Sequence, residues 1–156
     1  MLVISTATYN SEIGRALCGE HLLITSEYME WQTGLLLQIV RNRGNVFYDK
    51  TILFPELPAN DERSRLLGLI LGRLGCIREH SGSLNSHDFV VYHDIACPIK
   101  HGFEEILDNI HKPSYVAPYL LTYKELLGIL YKLCSRHGGD TYSLQVLNTL
   151  RTKLQV

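Results

Sequence analysis

A chain of 156 residues that is 46% hydrophobic and 20% charged has the size and composition of one globular domain, which excludes a disordered or low-complexity protein. Its formal net charge of −1 excludes a general attraction to nucleic acid or anionic lipid. The first ten residues lack the basic start and apolar core of a signal peptide, and no apolar run reaches the ~20 residues of a membrane span. We therefore expect a cytoplasmic protein with no membrane partner, whose four cysteines are thiols or ligands rather than disulfides.

The first third of the chain predicts strands. Runs rich in Leu, Ile, Val, Thr and Tyr fall at residues 2–5, 22–28, 35–41 and 46–53, with a brief helix at 10–19 after the first run. Arg43-Gly44 lies between the last two runs and predicts a hairpin turn, because glycine readily adopts a positive φ.

The next predicted element is a helix that begins at Asn60–Glu62 and continues to about Glu79. Its start offers a capping side chain followed by acidic residues in the first turn, where they face the positive end of the helix dipole. Three glycines share a stripe of this helix and predict the close approach of another backbone: Gly68, Gly72 and Gly75.

The second half of the chain predicts one strand and then helices. The strand is residues 89–92, and an amphipathic helix follows at 103–110. After an extended connector at 113–118, Thr122 and Glu125 form a capping box for a second helix. Asp140 or Thr141 begins the last one.

Strands that come first and helices that come last indicate an α+β fold. We predict a single α+β domain over residues 1–156, with a mainly antiparallel sheet of four to five strands packed against the helix that begins at Asp61. A three-helix C-terminal segment occupies residues 101–156.

Each cysteine is followed by a histidine three or four residues later. Two of these pairs supply the two thiolates and two imidazoles of a tetrahedral zinc site: Cys76, His80, Cys97 and His101. No Cys-x2-Cys turn is present, however, and a cysteine near a helix end packs well while a following histidine meets the last carbonyls. We expect no cofactor, and zinc at these four residues is the alternative.

Cys97 is also a candidate nucleophile, because it follows a strand in a loop with His93 and His101 nearby in sequence. Asp88 or Asp94 is available to orient an imidazole. Since successive residues of a strand point to opposite faces, His93 and Asp94 do not form a simple triad. We expect no catalysis, and we retain Cys97, His93 and His101 as the candidate catalytic residues.

The last two helices are a candidate helix-turn-helix. Residues 121–156 hold five basic and two acidic residues, a net charge of +3. The basic side chains that would contact phosphates are Lys124, Lys132, Arg136, Arg151 and Lys153. An ordinary helix pair with a solvated basic face explains the same pattern.

Tyr115, Tyr119 and Tyr123 surround the proline-containing connector, and tyrosine is enriched in protein contact sites. With no motif specific to an enzyme, we expect a small cytoplasmic interaction or regulatory protein that binds another protein. Nucleic-acid binding through the C-terminal helices is the second hypothesis, and a zinc or thiol site around Cys97 is the third.

Overall fold

A computed structural model describes residues 21–79, 82, 86–93, 112–113, 116, 118–136 and 140–156. Within this part of the chain, the helices are α1 (His21–Arg43), α2 (Glu62–Arg73), α3 (Tyr123–Cys134) and α4 (Thr141–Leu154). The strands are β1 (Thr51–Leu53), β2 (Ile77–Glu79), β3 (Phe89–Tyr92) and β4 (Tyr119–Thr122). The elements predicted at residues 2–5, 10–19 and 103–110 lie outside the described residues.

The four strands form one sheet in the order β2-β1-β3-β4, and every neighbouring pair is parallel. The prediction of a mainly antiparallel α+β sheet is therefore wrong. Parallel neighbours need a connection that returns the chain to the same end of the sheet, usually through a helix. Between β1 and β2 that connection is α2, so this part of the chain is a β-α-β unit.

The predicted strands at 22–28 and 35–41 lie in α1. Gln32, Leu36 and Val40 are buried at a spacing of four residues, whereas the residues between them are partly or fully exposed. This spacing matches the helical period, so the buried stripe outweighs the β-propensity of the individual residues.

The predicted hairpin at Arg43-Gly44 is a helix end. Gly44 has a φ of 92°, and its N–H donates to the carbonyl oxygen of Val40 at 3.1 Å. A glycine with positive φ commonly ends a helix in this way. The chain then turns, and of the strand predicted at 46–53 only β1 is present.

The helix predicted to reach Glu79 ends at Arg73 and is followed by a strand. Gly75, with a φ of 80°, turns the chain into β2, and a Cβ at this position would lie 2.8 Å from the Tyr48 ring. The close neighbour of Gly68 is a side chain rather than a backbone, because a Cβ there would lie 2.6 Å from the Arg78 guanidinium.

β3 is confirmed at its predicted bounds, whereas β4 lies just after the predicted connector at 113–118, where no strand was predicted. β4 is the edge strand of the described sheet, and the Gln32 side chain of α1 lies along it. The Gln32 amide accepts from Leu120 N at 2.9 Å and donates to the carbonyl oxygen of Pro118 at 3.2 Å. One buried side chain thus completes the hydrogen bonds of two edge residues.

The starts of the last two helices are confirmed. Thr122 and Glu125 form the capping box of α3, and the Asp140 carboxylate accepts from Ser143 N at the start of α4. α4 runs antiparallel to α2, because ion pairs join their opposite ends: Arg73 with Asp140 at 3.1 Å and Lys153 with Glu62 at 3.0 Å.

Both faces of β1, β3 and β4 are largely buried, whereas β2 is partly exposed. Ile52, Phe89 and Val91 point into a core that includes Leu71 of α2 and Leu147 of α4, and the alternate residues of the strands are buried as well. Burial on both faces is typical of parallel sheets. No helix in the described ranges is long and apolar enough to span a membrane.

Candidate functional site

The strand order places a topological switch at the carboxyl ends of β1 and β3. The chain leaves β1 for β2 on one side and returns to form β3 on the other side. In open parallel sheets a crevice opens at such a point, and ligands commonly bind there. The fold therefore predicts a ligand site at the carboxyl ends of β1 and β3.

Polar groups from three elements meet at this switch. The Glu56 carboxylate, in the loop after β1, accepts from the backbone N of His93 at 2.6 Å. The His93 ring lies 6.2 Å from the buried Tyr123 ring, measured between centroids, and Tyr123 stacks on Phe54 at 6.1 Å. Because Glu56 accepts from the backbone of His93, this contact does not orient the imidazole.

The charged side chains around the switch are bound to one another. Arg63 donates two hydrogen bonds to the Asp61 carboxylate, at 3.0 and 2.7 Å. These bonds lower the pKa of Asp61 to about 2 and raise that of Arg63. On the neighbouring helix, Glu125 accepts from Thr122 N and Oγ1, both at 3.0 Å, and from Thr33 of α1.

A groove of about 580 Å³ lies at the opposite end of the sheet, where β1, β3 and β4 begin. We call it the amino-edge groove. Its apolar wall includes Leu36, Ile39 and Val46, and the side chains that define its floor and rim are Arg43, Tyr48, Lys50, Phe89, Val116 and Tyr119.

The floor of the amino-edge groove is part of the core. Phe89 is 2% exposed, and its ring centroid lies 4.9 Å from that of Phe47 and 5.5 Å from that of Tyr119. Three packed aromatic rings from different segments make the floor rigid, because close-packed interiors leave side chains little room to move.

The rim is exposed and apolar. Tyr48 is 70% exposed and Val116 is 85% exposed, and Ile77, at the same end of the sheet, is 56% exposed. Of the five large hydrophobic side chains exposed in the described part of the chain, these three lie at the amino end of the sheet.

Asp88 is the acidic residue among those lining the groove, and its carboxylate is already used by the fold. It accepts from Thr51 N at 2.9 Å and from Thr51 Oγ1 at 3.4 Å. These bonds join the start of β1 to the start of β3 and fix their register. Asp88 therefore has a structural role that does not depend on a ligand.

Arg43 and Lys50 bring positive charge to the groove. Neither side chain makes an ion pair or hydrogen bond with any described residue. Arg43 is the last residue of α1, and Lys50 directly precedes β1. The groove therefore combines an apolar wall with two cations that the described fold does not pair.

Of the predicted catalytic residues, the structure describes only His93, which is exposed at the carboxyl end of β3. Cys97 and His101 lie outside the described residues, so the hypothesis of a thiol nucleophile stays a prediction. The contact between Glu56 and the His93 backbone is a feature that sequence spacing did not indicate.

Of the predicted zinc ligands, only Cys76 is described. It is 5% exposed, and burial, with the nearby Asp88 charge, raises its pKa to about 12. A thiol with this pKa is protonated at neutral pH, whereas zinc binds the deprotonated thiolate. His80, Cys97 and His101 lie outside the described ranges, and within those ranges no three His, Cys, Asp or Glu side chains group as metal ligands.

The five basic residues of the predicted nucleic-acid site do not share one described surface. Lys124 and Arg151 line a depression of about 200 Å³ between the start of α3 and the end of α4. Lys153 instead pairs with Glu62 of α2, and Arg136 donates to the carbonyl oxygen of Val40. Lys132 is exposed on α3. The nucleic-acid hypothesis stays a prediction. Two of its five basic side chains, Arg136 and Lys153, are already bound within the fold.

Known proteins offer no guide to these sites: no protein-family model matches the chain, and no curated protein or solved structure shows significant similarity to it. Tyr119 was predicted from the sequence as a contact residue and Arg43 as part of a hairpin turn, whereas Tyr48 and Lys50 were not singled out. The closeness of Arg43, Tyr48 and Lys50 in sequence, within residues 43–50, was the available signal, and it was interpreted as a hairpin.

Proposed function

We propose that this protein binds another protein, without catalysis, through the amino-edge groove. The observation that carries the proposal is the exposure of Tyr48 and Val116 on the rim of a groove of about 580 Å³. Apolar side chains grouped in contact with water are typical of interaction sites, and tyrosine combines apolar area with a polar tip.

The shape of the groove supports a peptide segment as the bound element. Its volume lies within the ~300–1,000 Å³ of ligand sites, which is room for a few side chains. Because Phe89 and Phe47 fix the floor within the core, the groove is largely formed before a partner arrives. A preformed site binds more tightly, since less conformational entropy is lost on association.

The acidic residue in the groove is not free to act as a general acid or base. A general acid or base must be able to reach a substrate proton. The Asp88 carboxylate is engaged by Thr51 across the two strand starts. The groove offers contact area and positive charge, which are properties of a binding surface.

The test is selection of peptides from a displayed random library on the purified protein, followed by affinity measurements on single variants. We expect peptides whose affinity falls at least tenfold with Tyr48→Ala or with Val116→Ala. Tyr142→Ala is the matched control, because Tyr142 is 49% exposed on α4, away from the groove. Circular dichroism and thermal unfolding confirm that each variant is folded.

If no selected peptide depends on Tyr48 or Val116, the proposed function is wrong. A peptide that loses affinity equally with Tyr142→Ala also contradicts it, because the binding surface then lies elsewhere.

A further inference from the structure

We infer that the partner segment is acidic and carries at least one large apolar side chain; this inference rests on the proposed function. The apolar wall and the aromatic floor of the groove would receive the apolar side chain. Arg43 and Lys50 would each meet a carboxylate of the segment.

Arg43 and Lys50 differ from the other exposed basic side chains in that both line the amino-edge groove. Four basic side chains elsewhere form ion pairs within the fold: Arg63 with Asp61, Arg65 with Glu62, Arg73 with Asp140 and Lys153 with Glu62. Arg41, Lys124, Lys132 and Arg151 are exposed and form no ion pair with the described residues. Arg43 and Lys50 have no such partner among the described residues. An incoming carboxylate therefore has no existing ion pair to displace.

The charges that line the groove also favour an acidic partner segment. Asp88 is the acidic residue on the described lining, and the N–H and hydroxyl of Thr51 already satisfy its carboxylate. Arg43 and Lys50 outnumber this one carboxylate, so the described lining has a net charge of +1, although the whole chain has a net charge of −1. Complementary potential steers association and selects partners more than it adds raw affinity.

The apolar wall favours a peptide over a nucleic acid. Leu36, Ile39 and Val46 provide a surface that a phosphate backbone cannot use. Binding to nucleic acid is dominated by phosphate contacts, of which specific complexes make roughly 6–10. The two cations here suit two carboxylates on either side of an apolar side chain.

The test uses four labelled probes in fluorescence anisotropy with the full chain. The first is a short peptide with Glu and Asp around a central Leu-Trp pair, and the second replaces each acidic residue with Lys. The third retains the acidic residues and replaces Leu-Trp with Ser-Ser. The fourth is single-stranded oligothymidylate. We expect the first peptide to bind at least tenfold tighter than the other three, with an affinity that falls as salt is raised.

Charge-reversal variants then test whether the acidic peptide binds at Arg43 and Lys50. We expect Arg43→Glu and Lys50→Glu each to weaken the first peptide about tenfold, as for the loss of one close charge contact. The matched control is Lys132→Glu, which makes the same charge change at an exposed site on α3 that does not line the groove.

The outcomes separate the two proposals. If library peptides that depend on Tyr48 or Val116 are neutral or basic, or if charge reversal at Arg43 and Lys50 has no effect on acidic peptides, the inference is wrong and the proposed function stands. If oligothymidylate binds tightest and depends on Arg43 and Lys50, both are wrong. If neither a library peptide nor a designed peptide binds, both are also wrong.

Discussion

At the carboxyl end of the sheet Asp61 binds Arg63 and Glu125 binds Thr122, whereas at the amino end Arg43 and Lys50 bind no residue of the described chain. The two ends are built from the same strands, yet their polar side chains serve different purposes. At one end they begin helices, and at the other they line an open groove.

Under the proposed function, the two ends of this small parallel sheet divide stability from binding. The carboxyl end carries the starts of α2 and α3, so its polar side chains satisfy the N–H groups that a helix leaves unpaired. The amino end has a groove whose cations form no ion pair with the described residues. Ligands of parallel sheets usually bind at the carboxyl end, so the proposed site is at the less common end.

The largest expected effect separates the floor of the groove from its rim. Phe89→Ala removes a buried ring that packs between Phe47 and Tyr119, and we expect a loss of about 3–5 kcal/mol in the free energy of unfolding. Tyr48→Ala, at the exposed rim, should change it by less than about 1 kcal/mol. Urea denaturation measures both, and similar losses would show that the rim is also part of the core.

The second effect concerns the carboxyl end. Glu125→Ala removes the acceptor of hydrogen bonds from Thr122 and Thr33, and we expect a loss of about 1–3 kcal/mol. Glu125→Gln retains an acceptor oxygen and should lose less. If the alanine variant is as stable as the wild type, the polar contacts of this end do not stabilise the fold.

The third effect depends on pH. The folded pKa of Asp61, about 2, lies below its ordinary value of 3.8, because Arg63 stabilises the carboxylate. Ionised Asp61 therefore adds stability above the ordinary pKa, and this stability is lost as the pH falls from about 4 towards 2. The contribution should be roughly 1 kcal/mol or less, because water screens a partly exposed pair.

Asp61→Asn is the test, since asparagine still caps the helix but carries no charge. The stability difference between wild type and variant, measured in urea across this pH range, should shrink towards zero at the acidic end. A constant difference would mean that the charge of Asp61 is not involved.

The smallest effect is expected at the amino end. Lys50→Glu should change the free energy of unfolding by less than about 0.5 kcal/mol, because the Lys50 side chain has no partner within the described fold. Measured beside the peptide affinities, this variant would lose binding without losing stability. A large loss of stability would show that Lys50 belongs to the fold.

Local patterns in the sequence predicted only part of this fold. The capping box at Thr122 and Glu125 and the run at 89–92 were interpreted correctly, because each depends on residues close together in the chain. The register of β1 on β2 pairs Thr51 with Ile77, and nothing local encodes it. The long helix α1 was missed because its Ile, Val, Thr and Tyr residues favour strands individually.

The candidate site was harder to predict than the fold. Arg43 and Lys50 are separated from Tyr119 by about seventy residues, and they share a groove only because β1, β3 and β4 run in the same direction. An antiparallel sheet would have placed these strand starts at different ends. Because the strands were predicted to be antiparallel, the groove could not be predicted either.

The Gln32 side chain also restricts how molecules of this protein can assemble. Leu120 N and the carbonyl oxygen of Pro118 are the groups through which a further strand would extend the sheet beyond β4. A neighbouring chain would have to displace the Gln32 amide from both before it could add. By occupying these two groups, the buried Gln32 side chain opposes edge-to-edge pairing at this part of β4.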